Sequence, residues 1–396
     1  MMATGAEVPD FSAHNEEVRE VWAAYHAGTP IRVPMVLGIN PRYLICEQGA
    51  NAIGLDFRTY SESPDAMFEA QLRFRLWTRF HLFQDAEMGL PDAWSVYVDF
   101  QNYYEAAWFG CPVEYRHGQV PDAAPIYCDD PEKVMDRGAP GPFDGVMGRA
   151  VEFHDRLSER ARDETFMDRA IVAQTPGTGM GTDGPMTVAC SLLSAGVVCE
   201  MMASEPDRLG RLLAFITDAT IRRVAAWKDR YGVAYPHDGY GIADDSIALI
   251  SVAAYRRHIL PLHRRLFDAF GTANGRSIHL CGDATRHFRT IRDELGVGSF
   301  DTGYPVDFGG LRDDLGPDVH LYGGPSAPFL AAATADEAEA ETAHILRSGV
   351  ARGGRFVLRE GNNLAPGTPA ENIRRMYDTV RRVGRYDAGG QCCMPS

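Results

Sequence analysis

The sequence predicts an α/β protein built as a (β/α)8 TIM barrel, and three observations carry that prediction. From about residue 230 onward a short apolar run, a Gly- or Asp-rich turn and an amphipathic stretch recur in that order five times. Successive strand–helix units of this kind impose right-handed crossovers and a parallel sheet. Within those runs the polar residues collect at the C-terminal ends, at Asp238, His279 with Cys281, Asp301 and Glu360. A barrel mouth gathers side chains from several strand ends, whereas an open doubly wound sheet concentrates its ligands at one switch point. Three apolar runs in the first half then complete eight strands.

In chain order, strands are expected at 31–37, 96–100 and 170–174, then at 233–238, 276–281, 297–301, 318–323 and 355–360, all short apolar runs bounded by turn formers. Helical spacing of apolar residues follows at 247–270, 284–295, around 311–315, 335–347 and 369–385. Asp283 is placed to N-cap the second of these helices, and Thr368-Pro369-Ala370-Glu371 reads as a capping box with Pro at the first helical position. Residues 1–386 are thus expected to form one barrel domain whose part up to 170 is irregular, with aromatic-rich insertions such as 103–109. Residues 387–396 are expected as a flexible tail carrying the vicinal Cys392 and Cys393. The Gly-rich stretch 175–185 stands where a phosphate loop would, but it lacks that motif's Lys and is expected to be a flexible loop over the mouth.

Composition narrows the partners. Of 396 residues, 45% are apolar and 23% charged, as in ordinary globular proteins. Asp plus Glu number 54 against 39 Lys plus Arg, a net charge of -15 that argues against nucleic acid or an anionic membrane as partner and leaves a small-molecule substrate. The first residues, MMATGAEVPDFSAHNEEVRE, are too polar for a secretory signal, and the most apolar run, 186–199, is too short to span a bilayer. Eight cysteines without such a signal are expected to be reduced thiols or ligands in a cytoplasmic protein.

The chemistry centres on Ser277-Ile278-His279-Leu280-Cys281-Gly282-Asp283. Strand side chains alternate faces, so His279 and Cys281 point the same way, two rises of about 3.3 Å apart, close enough to share one ion. A His and a Cys can equally pack inside a barrel with the imidazole bonded to a carboxylate, because a metal site needs three or four ligands. Asp244-Asp245 likewise admits two readings, as acid–base groups or as acidic residues at a helix start.

Four segments together carry a family resemblance: Asp238 to Ser251; His279-Leu280-Cys281-Gly282; Val306-Asp307 with Leu315-Gly316-Pro317-Asp318-Val319; and Gly361-Asn362-Asn363-Leu364-Ala365-Pro366-Gly367-Thr368-Pro369-Ala370-Glu371-Asn372-Ile373. From about 185 to 386 the chain resembles the uroporphyrinogen decarboxylase superfamily, which implies the same barrel. The superfamily holds the decarboxylase of haem synthesis and zinc methyltransferases that move methyl groups between corrinoid proteins and thiols. His279-x-Cys281 resembles the zinc ligands of the methyltransferase branch, whose third ligand is a cysteine at the position of Asn362. With Asn there, Glu360 is the expected substitute. The decarboxylase branch resembles a Pro-x-x-x-Met-Arg-Gln-Ala-Gly-Arg-Tyr pattern, of which Pro34 to Tyr43 keeps only Arg42-Tyr43.

The resemblance therefore implies a metal-dependent methyltransferase or demethylase. A divalent metal, zinc first, is expected on His279, Cys281 and Glu360, with Asp245 or Asp238 as proton acceptor. Substrate contacts are expected from Arg42, Tyr43, Tyr240, Asp301, Asn362 and Asn363, and any corrinoid is expected to arrive on a partner protein. Two other readings stay open: a metal-free decarboxylase using Asp245, Arg42 and Tyr43, and a ligand-binding barrel without turnover.

Overall fold

The computed structural model describes residues 9–116, 119–387 and 392. Its centre is a five-stranded parallel sheet in the order Phe356–Leu358, His320–Gly323, Ser299–Thr302, Ser277–Leu280 and Gly241–Ala243. The register places Ala243 beside His279, His279 beside Asp301, and Asp301 beside Tyr322. Alternation then does the sorting. Ile278, Leu280, Phe300, Leu321 and Phe356 are buried, each contributing about 1.5–3 kcal/mol of apolar burial. The intervening Ser277, His279, Ser299 and Asp301 line an internal cavity.

Both edges of this sheet are extended by single bridges, Met35 to Leu358 on one side and Asp183 to Ala243 on the other. A second sheet pairs Ala93–Val96 in parallel with Arg169–Ala173, which turns back antiparallel onto Thr165–Phe166. Among the described residues no ladder joins the two sheets.

Several elements depart from expectation for local reasons. The 233–238 run is not a strand: the strand begins after Gly239, whose φ of 78° turns the chain, and occupies Gly241–Ala243 instead. The 31–37 segment runs alongside Phe356–Leu358 as expected, with Val36 N–H donating to Leu358 O and Leu358 N–H to Pro34 O. It forms no longer ladder there, and Pro34 has no N–H to give one. The 247–270 helix is interrupted by a π turn at Tyr255–Ile259 before Leu260–Phe270, since Pro261 lacks the donor that an unbroken α-helix needs. Asp283 does not cap its helix, which starts at Thr285. The helix Ala370–Val383 has no side-chain cap, because the Thr368 hydroxyl donates to Ala365 O. The capping box occurs instead at Thr334 and Glu337. The tail's Cys393 lies outside the described residues; Cys392 bridges Tyr386.

The Gly-rich stretch is packed and is no loose flap. Thr178 donates to Val98 O, and a Cβ on Gly179 would sit 1.9 Å from the Trp227 ring. The aromatic insertion is also internal, with Tyr103 and Trp108 in the core. Among the described residues no single helix is long and apolar enough to cross a membrane.

Candidate metal centre

Three strand ends meet at one point. Past Gly241–Ala243 come Asp244 and Asp245, past Ser277–Leu280 comes Cys281, and Asp301 sits in Ser299–Thr302. The acidic pair divides its work. Asp244 is fully buried and accepts from Met186 N–H, Thr187 N–H, the Thr187 hydroxyl and His263 Nε2, so it anchors the start of the helix Pro185–Leu193. Asp245 faces the mouth, where its Oδ1 accepts the Cys281 N–H at 2.8 Å.

Asp245, His279 and Cys281 each offer one ligand atom, and those atoms all lie within 4.8 Å of one another. Among the described residues this is the one group of three that does so. The His279 ring is fixed from behind: its Nδ1 is 2.8 Å from Asp301 Oδ2, which also accepts from Arg359 at 2.7 Å. That leaves Nε2 facing Asp245, 3.9 Å away. A carboxylate behind a ligating imidazole fixes the tautomer and raises its basicity. The donor set of nitrogen, sulfur and oxygen suits a tetrahedral divalent cation with a fourth position open, Zn2+ foremost.

These groups shift one another's ionisation. Burial pushes the Cys281 thiol up, and the Asp245 and Asp183 carboxylates push it further. Burial disfavours the His279 cation, but the hydrogen bond to Asp301 and the charges of Asp301 and Asp245 outweigh it and raise its pKa. Burial, with Glu105 and Asp245 nearby, holds Asp183 well above the usual carboxylate range. A divalent cation bound here would reverse the shift at the thiol, because a metal deprotonates a coordinating thiol outright.

Arg42 approaches this cluster. Its Nε donates to Gln101 Oε1, and Gln101 in turn donates to Asp99. Burial lowers the Arg42 pKa against the opposing charges of Asp99, Cys281 and Asp183. Asn362 and Asn363 surround Arg359, whose Nη2 donates to Asn362 O at 2.8 Å. Below the cluster a cavity of about 530 Å3 descends past Ala243 to Gly241, Ser277 and Ser299.

Four expected site residues are elsewhere. Asp238 is exposed, ahead of its strand and hydrogen-bonded to Thr272, because the strand starts later than the apolar run suggests. Tyr240 has the parity of Ile242 and packs against Phe267 and Phe270 in the helical layer. Tyr43 is buried against Trp77 and donates to Thr368 O. Glu360 is fully buried just past the end of its strand, where it accepts the Gly38 N–H at 2.7 Å and stands 3.5 Å from Arg359 Nη2. Asp245, and not Glu360, offers the third candidate ligand atom. Sequence reasoning missed Arg359, Asp183, Asp99 and the buried pair Glu105–Arg223, at 2.7 Å, whose carboxylate also accepts from Thr182 and the Asp183 N–H. For Arg359 there was a signal, a charge at a strand end beside Glu360.

A family model described as uroporphyrinogen decarboxylase (URO-D) matches residues 19–383. Among curated proteins, the uroporphyrinogen decarboxylase of Pelobacter propionicus is 27% identical over 226 residues, 56% of this chain and 64% of that protein. The methylated-thiol–coenzyme M methyltransferase of Methanosarcina mazei is 27% identical over 209 residues, 51% of this chain and 53% of that one. The chain thus spans somewhat less than two thirds of the length of the curated relatives it matches. A solved methyltransferase from Methanosarcina mazei superposes with a TM-score of 0.61 at 18% identity, covering 92% of this chain and 98% of that one. That likeness shows the fold.

Proposed function

The chain belongs to the uroporphyrinogen decarboxylase family, and on that premise we propose that it is a metal-dependent methyltransferase that activates a thiol or hydroxyl acceptor. The observation that supports this reading is the convergence of Asp245, His279 and Cys281 within 4.8 Å. When bound there, a divalent cation supplies a Lewis acid that lowers the acceptor's pKa. The chain's own groups do the rest. Asp301 and Arg359 hold the His279 ring, Arg42 presents a positive charge to an anionic substrate group, and Asp183 keeps a proton beside the cluster. The two sheets are read as parts of one closed (β/α)8 barrel, and the methyl donor as a corrinoid borne by a separate protein.

A second reading is kept because curated relatives such as the Pelobacter propionicus protein carry the decarboxylase name. A polycarboxylate would have to enter a mouth that holds Asp245 and Asp301, whose charges would repel it in a low-dielectric cleft. Metal analysis of purified protein separates the two. About one equivalent of divalent metal, lost in His279→Ala, supports the transferase. Metal-free protein that turns uroporphyrinogen into stepwise decarboxylated products would replace it with the lyase.

A further inference from the structure

Away from the metal cluster, a cavity of about 380 Å3 lies between the helix Pro64–His81, the strand Ala93–Val96 and the segment 37–44. That volume is within the roughly 300–1,000 Å3 of small-molecule sites. Leu44, Phe74 and Trp94 make part of its wall apolar. The polar part is rich in donors. Arg75 lines it with its guanidinium over the Tyr97 ring, 5.7 Å from the centroid, and among the described residues it meets no carboxylate. Gln84 and Asn40 have their amide oxygens committed to the Leu37 and Arg42 N–H groups, which leaves each a free amide nitrogen. The single carboxylate on the wall, Glu87, is already paired with Arg19 at 2.7 Å. Arg79 is spent on the carbonyls of Gly89 and Met88.

We propose that this cavity is a second ligand site for a small carboxylic acid with a flat apolar body, whose carboxylate pairs with Arg75. A guanidinium near an aromatic ring, in a cavity that also holds two amide donors, is suited to a planar carboxylate, which it grips through two parallel hydrogen bonds. The apolar wall takes the ring. A ligand there rests against Pro41 and Leu44, in the short helix Pro41–Cys46 that carries Arg42.

Benzoate and its neutral isostere benzamide test this by titration calorimetry on the full chain. Saturable benzoate binding is expected, at least tenfold weaker for benzamide and at least tenfold weaker in Arg75→Gln. Thr78→Phe, which fills the cavity from the helix and keeps the guanidinium, is expected to abolish it and decides the matter if Arg75→Gln fails to fold. Arg42→Gln is expected to leave it intact. No saturable binding to the wild type, binding that persists in Thr78→Phe, or binding lost in Arg42→Gln while Arg75→Gln retains it overturns the proposal.

Discussion

Asp301 holds His279 by its Nδ1 at 2.8 Å, and this contact fixes which ring nitrogen faces Asp245 and Cys281. Asp301 is itself held by Arg359 at 2.7 Å, so the imidazole's orientation is set two residues deep.

Asp301→Asn should therefore weaken metal binding without removing a ligand. Loss of a carboxylate behind a ligating His typically costs about 10–100-fold in affinity. Competition with a chelator such as EDTA or a chromogenic dye measures it. An unchanged affinity would detach Asp301 from the metal.

Cys281→Ala should lower bound divalent metal sharply, whereas Cys190→Ala in the helix Pro185–Leu193 should not. Of the two, only Cys281 stands among the candidate ligand atoms. Equal metal content in the wild type and Cys281→Ala removes the metal from the function.

Glu360 gives a pH signature independent of the metal. Burial raises its carboxyl from 4.5 to about 7. Between those values the folded state binds more protons than the unfolded one, so stability falls as pH rises, by up to about 3 kcal/mol in all. Glu360→Gln should flatten that decline: above pH 7 it should be more stable than the wild type, and near pH 4.5 the difference should vanish. Urea unfolding at the two pH values reads this, and parallel curves would refute it.

Asp244→Ala should cost about 3–5 kcal/mol of folding stability, the scale for removing one partner of a buried charged network. The variant strips the helix Pro185–Leu193 of its buried acceptor and leaves His263 Nε2 without its partner, though Nδ1 keeps Tyr255 OH. A loss below about 1 kcal/mol by urea denaturation would show that the helix start is satisfied some other way.

What the sequence made legible was whatever strand parity governs. His279 and Cys281 share a face because nothing interrupts Ser277–Leu280, and Asp301 joins them by register. Where a turn shifted the frame, parity misled: Asp238 and Tyr240 precede the turn-delayed strand and so fall before its start or on its other face. Glu360 failed for a related reason. Its spacing to Asn362 suggested one shared face, but the strand ends at Leu358, Glu360 stands 3.5 Å from Arg359, and Asn362 has a φ of 78° that no strand continues. Asp183 and the Glu105–Arg223 pair are brought in by long-range folding of irregular segments, for which one chain's local pattern holds no signal. The Thr368 capping box was locally plausible and lost to a hydrogen bond within the preceding turn.

The neighbouring aspartates at 244 and 245 face opposite duties across a single peptide link, the first held in a buried hydrogen-bond network and the second set among the candidate ligand atoms of the proposed chemistry. A library randomised at just these two codons should consequently sort into two classes. Changes at the first should deplete the protein from cells, whereas changes at the second should leave abundance intact and yield a well-folded but inert product. Abundance screening alone would enrich the second class and be blind to its defect. The pair is thus a built-in control for telling loss of fold from loss of function in this chain.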